Sequence, residues 1–244
     1  MIEFSGKAIL LDIEGTTSSV SFVYDVMFPF VRRELAGYLK SAWGNEGLAP
    51  VLDMIAVDAG AADFASWSAG DADDAAKQLR VQTEIERLMD GDIKATGLKQ
   101  LQGKIWKSGF DSGELVADIF DDVPPALVKW NQQNLDVRIY SSGSIAAQKM
   151  FFGHTRQGDL LANFQGHYDT TTGGKKEAPS YQAIAADYPL APSEILFLSD
   201  VVAELDAAQE AGMQTGLCLR EGNKPVEPGH GHAEITSFDQ VACC

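Results

Sequence analysis

The chain has 244 residues and is acidic, with 35 Asp and Glu against 19 Lys and Arg, which gives a net charge of −16. Hydrophobic residues make up 45% and charged residues 22%, proportions typical of a folded globular protein. This composition argues against a nucleic-acid-binding protein, which needs clustered basic residues, and no apolar run approaches the ~18 residues of a membrane span.

The first residues carry neither a basic segment nor a long apolar stretch, so we expect no secretory signal and a cytoplasmic protein, which we take to be a monomer. Cys218, Cys243 and Cys244 have no spacing typical of a zinc site or a disulfide framework, which fits a reducing compartment. His230 and His232 flank a glycine without an evident third ligand, so a loop is favoured there over a metal site.

Four short apolar runs predict buried strands: Ala8–Leu11, Val137–Tyr140, Ile195–Leu198 and Thr215–Leu219. Near-continuous apolar runs of this length are typical of a parallel sheet covered on both faces. Helical patterns lie between the later runs, at Pro124–Asn134, Ile145–Phe152, Tyr181–Asp187 and Ala203–Ala211. Strands that alternate with helices predict an α/β fold with a doubly wound parallel sheet.

The segment between the first two strands has helical periodicity instead. In a helix predicted over Asp71–Met89, for example, Leu79, Ile85 and Leu88 belong to one apolar stripe. The segment spans far more than the roughly dozen residues that a crossover connection needs, so we predict an inserted helical cap. The predicted domains are an α/β core of residues 1–18 and 120–244 and a helical cap of residues 19–119.

Polar residues follow three of the predicted strands at the point where each strand ends. They are Asp12, Glu14 and Thr16 after the first strand, Ser141, Ser142 and Gly143 after the second, and Asp200 and Glu204 after the third, with Lys175 in the loop before the helix that leads to the third. Ligands of open α/β sheets bind outside the carboxyl ends of the strands, so these side chains should converge. Each alone has an ordinary explanation as a cap, a turn or a solvated lysine, but the ordered combination predicts a site.

The residue types fit phosphoryl transfer. Asp12 can attack phosphorus and form an acyl phosphate, and Glu14 can protonate the leaving oxygen and then deprotonate water. Mg²⁺, which prefers hard oxygen ligands, would offset the repulsion between Asp12 and a phosphate. Ser141 and a lysine can donate hydrogen bonds to the phosphate oxygens.

This pattern resembles the haloacid dehalogenase-like superfamily over essentially the whole chain. Asp12-x-Glu14-x-Thr16 looks like its first motif, and the other motifs match Ser141, Lys175, and Asp200 with Glu204. The insertion stands where that superfamily has its helical cap. Most phosphatases of the group have Asp at the position of Glu14, and this departure points to a narrower family.

The chain resembles the enolase-phosphatases of methionine salvage, also called acireductone synthases. The likeness is carried by Leu11–Thr17, Phe28–Phe30, Leu98–Gly103, Tyr140–Ser144, Ala147–Lys149, Phe152–His154 and Ile195–Asp200. The resemblance implies enolisation and then dephosphorylation of 2,3-diketo-5-methylthiopentyl 1-phosphate to 1,2-dihydroxy-3-keto-5-methylthiopentene.

The resemblance also implies roles for individual residues. It assigns Mg²⁺ to Asp12, Glu14 and Asp200, catalysis to Asp12, Glu14 and Lys175, substrate binding to Ser141, Ser142, Gly143 and Lys175, and supporting positions to Thr16 and Glu204. Lys175 is preferred to its neighbour Lys176 because it stands 34 residues after Ser141 and 25 before Asp200. The base for enolisation is not identified by the sequence, and Glu14 is a hypothesis.

Three other functions remain open. A general phosphatase of the same superfamily, acting for example on phosphoglycolate, would use the same core chemistry. A dehalogenase also attacks with a strand-end Asp but needs neither Glu14 nor Asp200. A binding protein on an inactive phosphatase fold would not need functional side chains in all four motifs.

Overall fold

The computed structural model describes residues 1–243, so the prediction for Cys244 lies outside the described residues. The strands are β1 (Ile2–Phe4), β2 (Ala8–Leu11), β3 (Asp136–Tyr140), β4 (Gly166–Tyr168), β5 (Ile195–Ser199), β6 (Gln214–Cys218), β7 (Ala233–Ile235) and β8 (Val241–Cys243). The helices are α1 (Phe28–Ala42), α2 (Ala49–Asp58), α3 (Phe64–Trp67), α4 (Asp74–Asp90), α5 (Thr96–Ser112), α6 (Val123–Gln132), α7 (Ile145–Gly153), α8 (Ala178–Ala186) and α9 (Val202–Glu210).

The chain divides into two compact units. A sheet unit contains residues 1–24 and the chain from residue 116 onward, and a helical unit contains residues 25–115. The predicted boundaries differ from these by a few residues. Residues 117–120 belong to the sheet unit because Ala117 N–H donates to the His154 carbonyl at 2.8 Å and Phe120 N–H donates to the Thr17 carbonyl at 3.0 Å.

The sheet unit is built on a six-stranded sheet with the order β4-β3-β2-β5-β6-β7, in which every neighbouring pair is parallel. The prediction of a doubly wound α/β fold is therefore confirmed. The sequence patterns missed β1, β4, β7 and β8, because each has only three residues and so lacks a recognisable apolar run. Strands β1 and β8 pair in a separate two-stranded sheet.

The strand order defines where a ligand can bind. From β2 the chain proceeds to β3 and β4 on one side, and from β5 it proceeds to β6 and β7 on the other. The carboxyl ends of β2 and β5 therefore flank the topological switch point, where doubly wound sheets open a crevice. All residues of these two strands are buried, as expected for strands covered on both faces.

The helical unit has its own apolar core, in which α5 packs closely against α2. A Cβ atom on Gly97 would lie 2.5 Å from the backbone nitrogen of Ile55, so only glycine allows this approach. The stripe predicted for α4 is wrong at Leu79, which is 62% exposed, whereas Val81 and Ile85 are buried. Leu79 lies about 120° around the helix from Ile85, on a different face. Within residues 1–243, no helix combines the length and apolar character that crossing a bilayer requires.

Candidate active site

Asp12 lies directly after β2 at the switch point. Leu11 pairs with Ile139 of β3 and with Leu198 of β5, so Asp12 comes level with the ends of both neighbouring strands. Its backbone N–H continues the ladder by donating to the Leu198 carbonyl at 3.0 Å, and the residue is only 2% exposed. A carboxylate in so buried a place needs a charged or hydrogen-bonding partner.

The backbone turns sharply after Asp12. The Ile13 carbonyl accepts hydrogen bonds from the N–H groups of Thr16, Thr17 and Ser18, and Gly15 has a φ of +74°, in the left-handed region that favours glycine. A Cβ atom on residue 15 would lie 2.3 Å from Oδ2 of Asp200. The turn therefore allows the Asp200 carboxylate to approach the loop that carries Asp12.

Lys175 provides the partner that Asp12 needs. Its Nζ lies 2.5 Å from Oδ1 of Asp12 and 2.7 Å from Oε2 of Glu204, and all three side chains are buried. Burial favours the neutral amine, but the two carboxylates outweigh it and raise the pKa of Lys175, which is therefore a cation. The adjacent Lys176 is exposed.

Asp200 and Glu204 share this acidic environment. Burial, followed by the charge of Asp12, raises the pKa of Asp200 to about 7, and the same two causes raise the pKa of Glu204 to about 7. Oε2 of Glu204 also accepts a hydrogen bond from the Ser199 hydroxyl at 3.0 Å. The site therefore concentrates negative charge around one buried lysine.

The turn at residues 141–144 follows β3 at the same edge. Ser141 is buried, and its Oγ accepts a hydrogen bond from the Gly143 N–H at 3.2 Å, so its own proton can be donated elsewhere. Ser144 caps α7 by accepting from the Ala147 N–H at 3.3 Å. Ser142 is half-buried. The turn therefore offers neutral hydrogen-bonding groups next to the charged cluster.

The donor set fits a hard divalent cation, although the site is not a ready-made cage. Asp200 approaches the Gly15 turn, and its pKa is raised partly by Asp12 and Glu14, so a cation would relieve this repulsion. Residues 1–243, however, contain no group of three or more His, Cys, Asp or Glu side chains placed closely enough to hold a metal ion. The predicted trio of Asp12, Glu14 and Asp200 is therefore not preassembled, since Asp12 is ion-paired with Lys175. Mg²⁺ commonly takes only one or two carboxylates and completes its shell with waters and phosphate oxygens.

Two tyrosines that the sequence did not point to bind the backbone of the loop that carries Lys175. The hydroxyl of Tyr181 donates to the Lys175 carbonyl at 2.7 Å, and that of Tyr140 donates to the Gly173 carbonyl at 2.9 Å. Tyr140 immediately precedes Ser141, so its place at a strand end was the available signal. Both rings belong to the core beside the sheet, and they anchor the lysine loop to it.

The other residues considered from the sequence do not join this cluster. His232 lies between Thr215, whose Oγ1 is 2.8 Å from Nδ1, and Asp206, whose Oδ1 is 3.0 Å from Nε2. It lies in the loop that precedes β7. Cys218 is a buried free thiol, and burial raises its pKa.

Comparison with known proteins agrees with this geometry. A profile of the haloacid dehalogenase-like hydrolases matches residues 7–212. The chain is similar to the enolase-phosphatase E1 of Synechococcus elongatus, with 44% identity over 236 residues that cover 96% of each chain. It is 42% identical to the enolase-phosphatase E1 of Sorangium cellulosum over 243 residues, 99% of this chain and 100% of that one. The solved structure of the UTR4 protein of Saccharomyces cerevisiae matches with a TM-score of 0.79 and 31% identity, covering 97% of this chain and 100% of that one.

Proposed function

This chain belongs to the haloacid dehalogenase-like hydrolases and, within them, to the enolase-phosphatase E1 family, and from that premise we propose the reaction that it catalyses. The reaction converts 2,3-diketo-5-methylthiopentyl 1-phosphate into 1,2-dihydroxy-3-keto-5-methylthiopentene and phosphate. The observation that supports it most is the buried ion cluster of Asp12, Lys175 and Glu204 at the switch point of the sheet. Asp12 is a buried carboxylate at the sheet edge where ligands bind, and within residues 1–243 its ion pair is with Lys175. Such a carboxylate is suited to attack phosphorus.

In the phosphatase step, a carboxylate oxygen of Asp12 forms a bond to phosphorus while the bond to the substrate's C1 oxygen breaks. Glu14 gives that oxygen a proton, and then takes one from the water that hydrolyses the acyl phosphate. Lys175 keeps its charge throughout and stabilises the phosphoryl oxygens together with the Ser141 hydroxyl. We propose that Ser142 and Gly143 also contact the substrate.

We further propose that the divalent metal is Mg²⁺, held by Asp12 and Asp200 with Glu14 nearby. Bound there, the metal would neutralise the carboxylates and the phosphate and so favour attack by an anion on an anion. Thr16 supports this site through its place in the turn, and Glu204 supports it by fixing Lys175.

Enolisation requires a base close to the substrate's C1, and we propose Glu14 for this role. Its side chain is longer than that of Asp by one methylene and lies two residues after Asp12, in the same turn. Exchange of the C1 proton with solvent deuterium should slow strongly in Glu14→Gln. Exchange at the wild-type rate in this variant would assign the base elsewhere.

The proposed reaction is tested by supplying the diketo phosphate and Mg²⁺ and following both the absorbance of the enediol and the release of phosphate. We expect both signals, a much lower rate with phosphoglycolate, no turnover in excess chelator and none in Asp12→Asn. A faster rate with phosphoglycolate would instead identify a general phosphatase, and turnover with chelator present would indicate dehalogenase-type chemistry.

Three further proposals concern the protein rather than the reaction. We propose that residues 25–115 form the cap that recognises the methylthio tail, because their helices are inserted between two strands of the sheet unit. We propose a monomer in the cytoplasm, which the free thiol of Cys218 and the high negative charge support. Light scattering would test the mass, and fractionation of cells would test the location.

A further inference from the structure

The turn that follows β6 holds the loop that carries Asp12. Nε of Arg220 donates to the Thr16 carbonyl at 3.1 Å, and Nδ2 of Asn223 donates to the Gly15 carbonyl at 2.9 Å. These carbonyls belong to consecutive residues just after Asp12. The same Nδ2 donates to the Cys218 carbonyl at 3.1 Å, which ties the loop to the end of β6.

Arg220 is itself firmly fixed. Its Nη1 lies 2.9 Å from Oδ2 of Asp122 and donates to the Thr236 carbonyl at 2.9 Å. Its Cζ lies over the rings of both Phe120 and Phe238, 4.7 Å from each centroid. An ion pair, a carbonyl and two ring contacts leave the guanidinium little freedom, so it can act as a rigid donor to the loop.

Asn223 packs against the turn at its tightest point. Its Oδ1 is buried, has no hydrogen-bond partner among the described residues, and lies 3.0 Å from the position of a Cβ on Gly15. Oδ2 of Asp200 lies 2.3 Å from that same position. Asn223 therefore contacts the Gly15 backbone, which the Asp200 carboxylate also approaches, and it holds this backbone through its donor hydrogens.

We propose that Arg220 and Asn223 are positioning residues for phosphoryl transfer, which fix the Gly15 and Thr16 carbonyls and thereby the direction of the Asp12 carboxylate. The proposal rests on the proposed function, because it takes Asp12 as the attacking group. Displacement of a reacting group by about 1 Å can lower a rate about 100-fold. We therefore expect the loss in kcat rather than in KM.

The main test compares Asn223→Ala with Asn131→Ala. Asn131 is a matched control because its Nδ2 also donates to two backbone carbonyls, those of Leu127 at 2.8 Å and Asn163 at 3.2 Å, away from the Asp12 loop. With Mg²⁺ and the diketo phosphate, we expect Asn223→Ala to lower kcat about 100-fold while KM changes less than about threefold. Asn131→Ala should lower the Tm comparably and leave kcat within about twofold of the wild type.

A second pair of variants replaces Arg by Lys, a smaller change, so the test does not depend only on how well the Ala variants fold. Arg220→Lys retains the charge but loses the fork, and we expect it to lower kcat about tenfold. Arg138→Lys is its control, because Arg138 also forms a forked ion pair, with Asp136 at 2.7 Å, and lies over the Tyr188 ring. Arg138→Lys should leave kcat within about twofold.

Two added measurements separate this proposal from the proposed function. Hydrolysis of p-nitrophenyl phosphate and calorimetric binding of beryllium fluoride, a mimic of the acyl phosphate, both report on Asp12 without the diketo substrate. If the wild type hydrolyses p-nitrophenyl phosphate but not the diketo phosphate, the assigned reaction is wrong. The rates and affinities of the variants are then measured with these two probes instead. The positioning role is overturned if Asn223→Ala matches the wild type with all probes, or if Asn131→Ala loses as much as Asn223→Ala.

Discussion

Two loops reach the same edge of the sheet and are held in opposite ways. The loop of residues 12–18 after β2 carries charge, and side chains from remote parts of the chain bind it: Lys175 is 163 residues away from Asp12, and Asn223 is 208 from Gly15. The turn of residues 141–144 after β3 is neutral, and Gln148, five residues beyond Gly143, donates to the Gly143 carbonyl at 2.8 Å. The charged loop therefore depends on contacts with segments distant in sequence, whereas a hydrogen bond from a residue close in sequence stabilises the neutral turn.

The energetic consequence differs for the two loops. Removing one member of a buried ion cluster leaves an uncompensated charge, which typically costs about 3–5 kcal/mol. Removing one neutral hydrogen bond costs about 1 kcal/mol. Substitutions at the charged loop should therefore have larger effects than substitutions at the neutral turn.

Lys175→Met should produce the largest loss. It removes the cation that faces Asp12 and Glu204, so we expect kcat for phosphate release to fall about 100- to 1,000-fold, together with a lower Tm. Lys176→Met is the control, because its side chain is exposed and its activity should stay within about twofold. Equal losses in the two variants would contradict the assignment of Lys175.

Gly15→Ala should come next. The added Cβ meets Oδ2 of Asp200 at 2.3 Å and also strains a φ of +74°, so we expect a kcat about 30- to 100-fold lower. Gly113→Ala isolates the strain, because Gly113 has a φ of +76° but no atom lies within 4 Å of its Cβ position. The control should lose about 1 kcal/mol of stability and little activity. Activity lost equally in both variants would mean that strain alone is responsible.

The difference between the loops also explains what the sequence could predict. Asp12, Ser141 and Asp200 were recognisable because each follows a buried strand, and Ser144 carries the local chemistry of a helix cap. Arg220 also follows a predicted strand, Thr215–Leu219, but its position alone did not indicate what it binds, and Asn223 lies three residues further on. The groups that the two side chains bind in the Asp12 loop are backbone carbonyls more than two hundred residues away, and a carbonyl has no sequence identity. Long-range contacts of this kind become visible only when the fold brings the segments together.

Gln148→Leu tests the neutral turn. The Nε2 of Gln148 donates to the carbonyls of Gly143 and Tyr168, each at 2.8 Å, and leucine would leave both unsatisfied. We expect the free energy of unfolding to fall by about 2 kcal/mol in a denaturant titration, and kcat to fall only about tenfold. Gln165→Leu is the control, since its Oε1 accepts from the Val137 N–H at 2.8 Å, away from the turn. A loss of kcat as large as that of Lys175→Met would remove the contrast between the loops.

His167 gives the smallest effect and links the neutral turn to pH. Both amide hydrogens of Gln148 are donated to carbonyls, so its Oε1 must accept, and Nδ1 of His167, at 3.1 Å, carries the proton. Burial, followed by the charge of Lys149, lowers the pKa of His167 to about 4 from its usual 6.5.

Because the folded protein binds this proton less readily than the unfolded chain, His167 destabilises the fold increasingly as the pH falls from about 6.5 towards 4. His167→Asn keeps a donor for Gln148 but does not titrate. Between pH 7 and pH 5 it should therefore lose about 1–2 kcal/mol less stability than the wild type, measured by urea unfolding at each pH. Parallel pH profiles for the two proteins would show that His167 does not couple this turn to protonation.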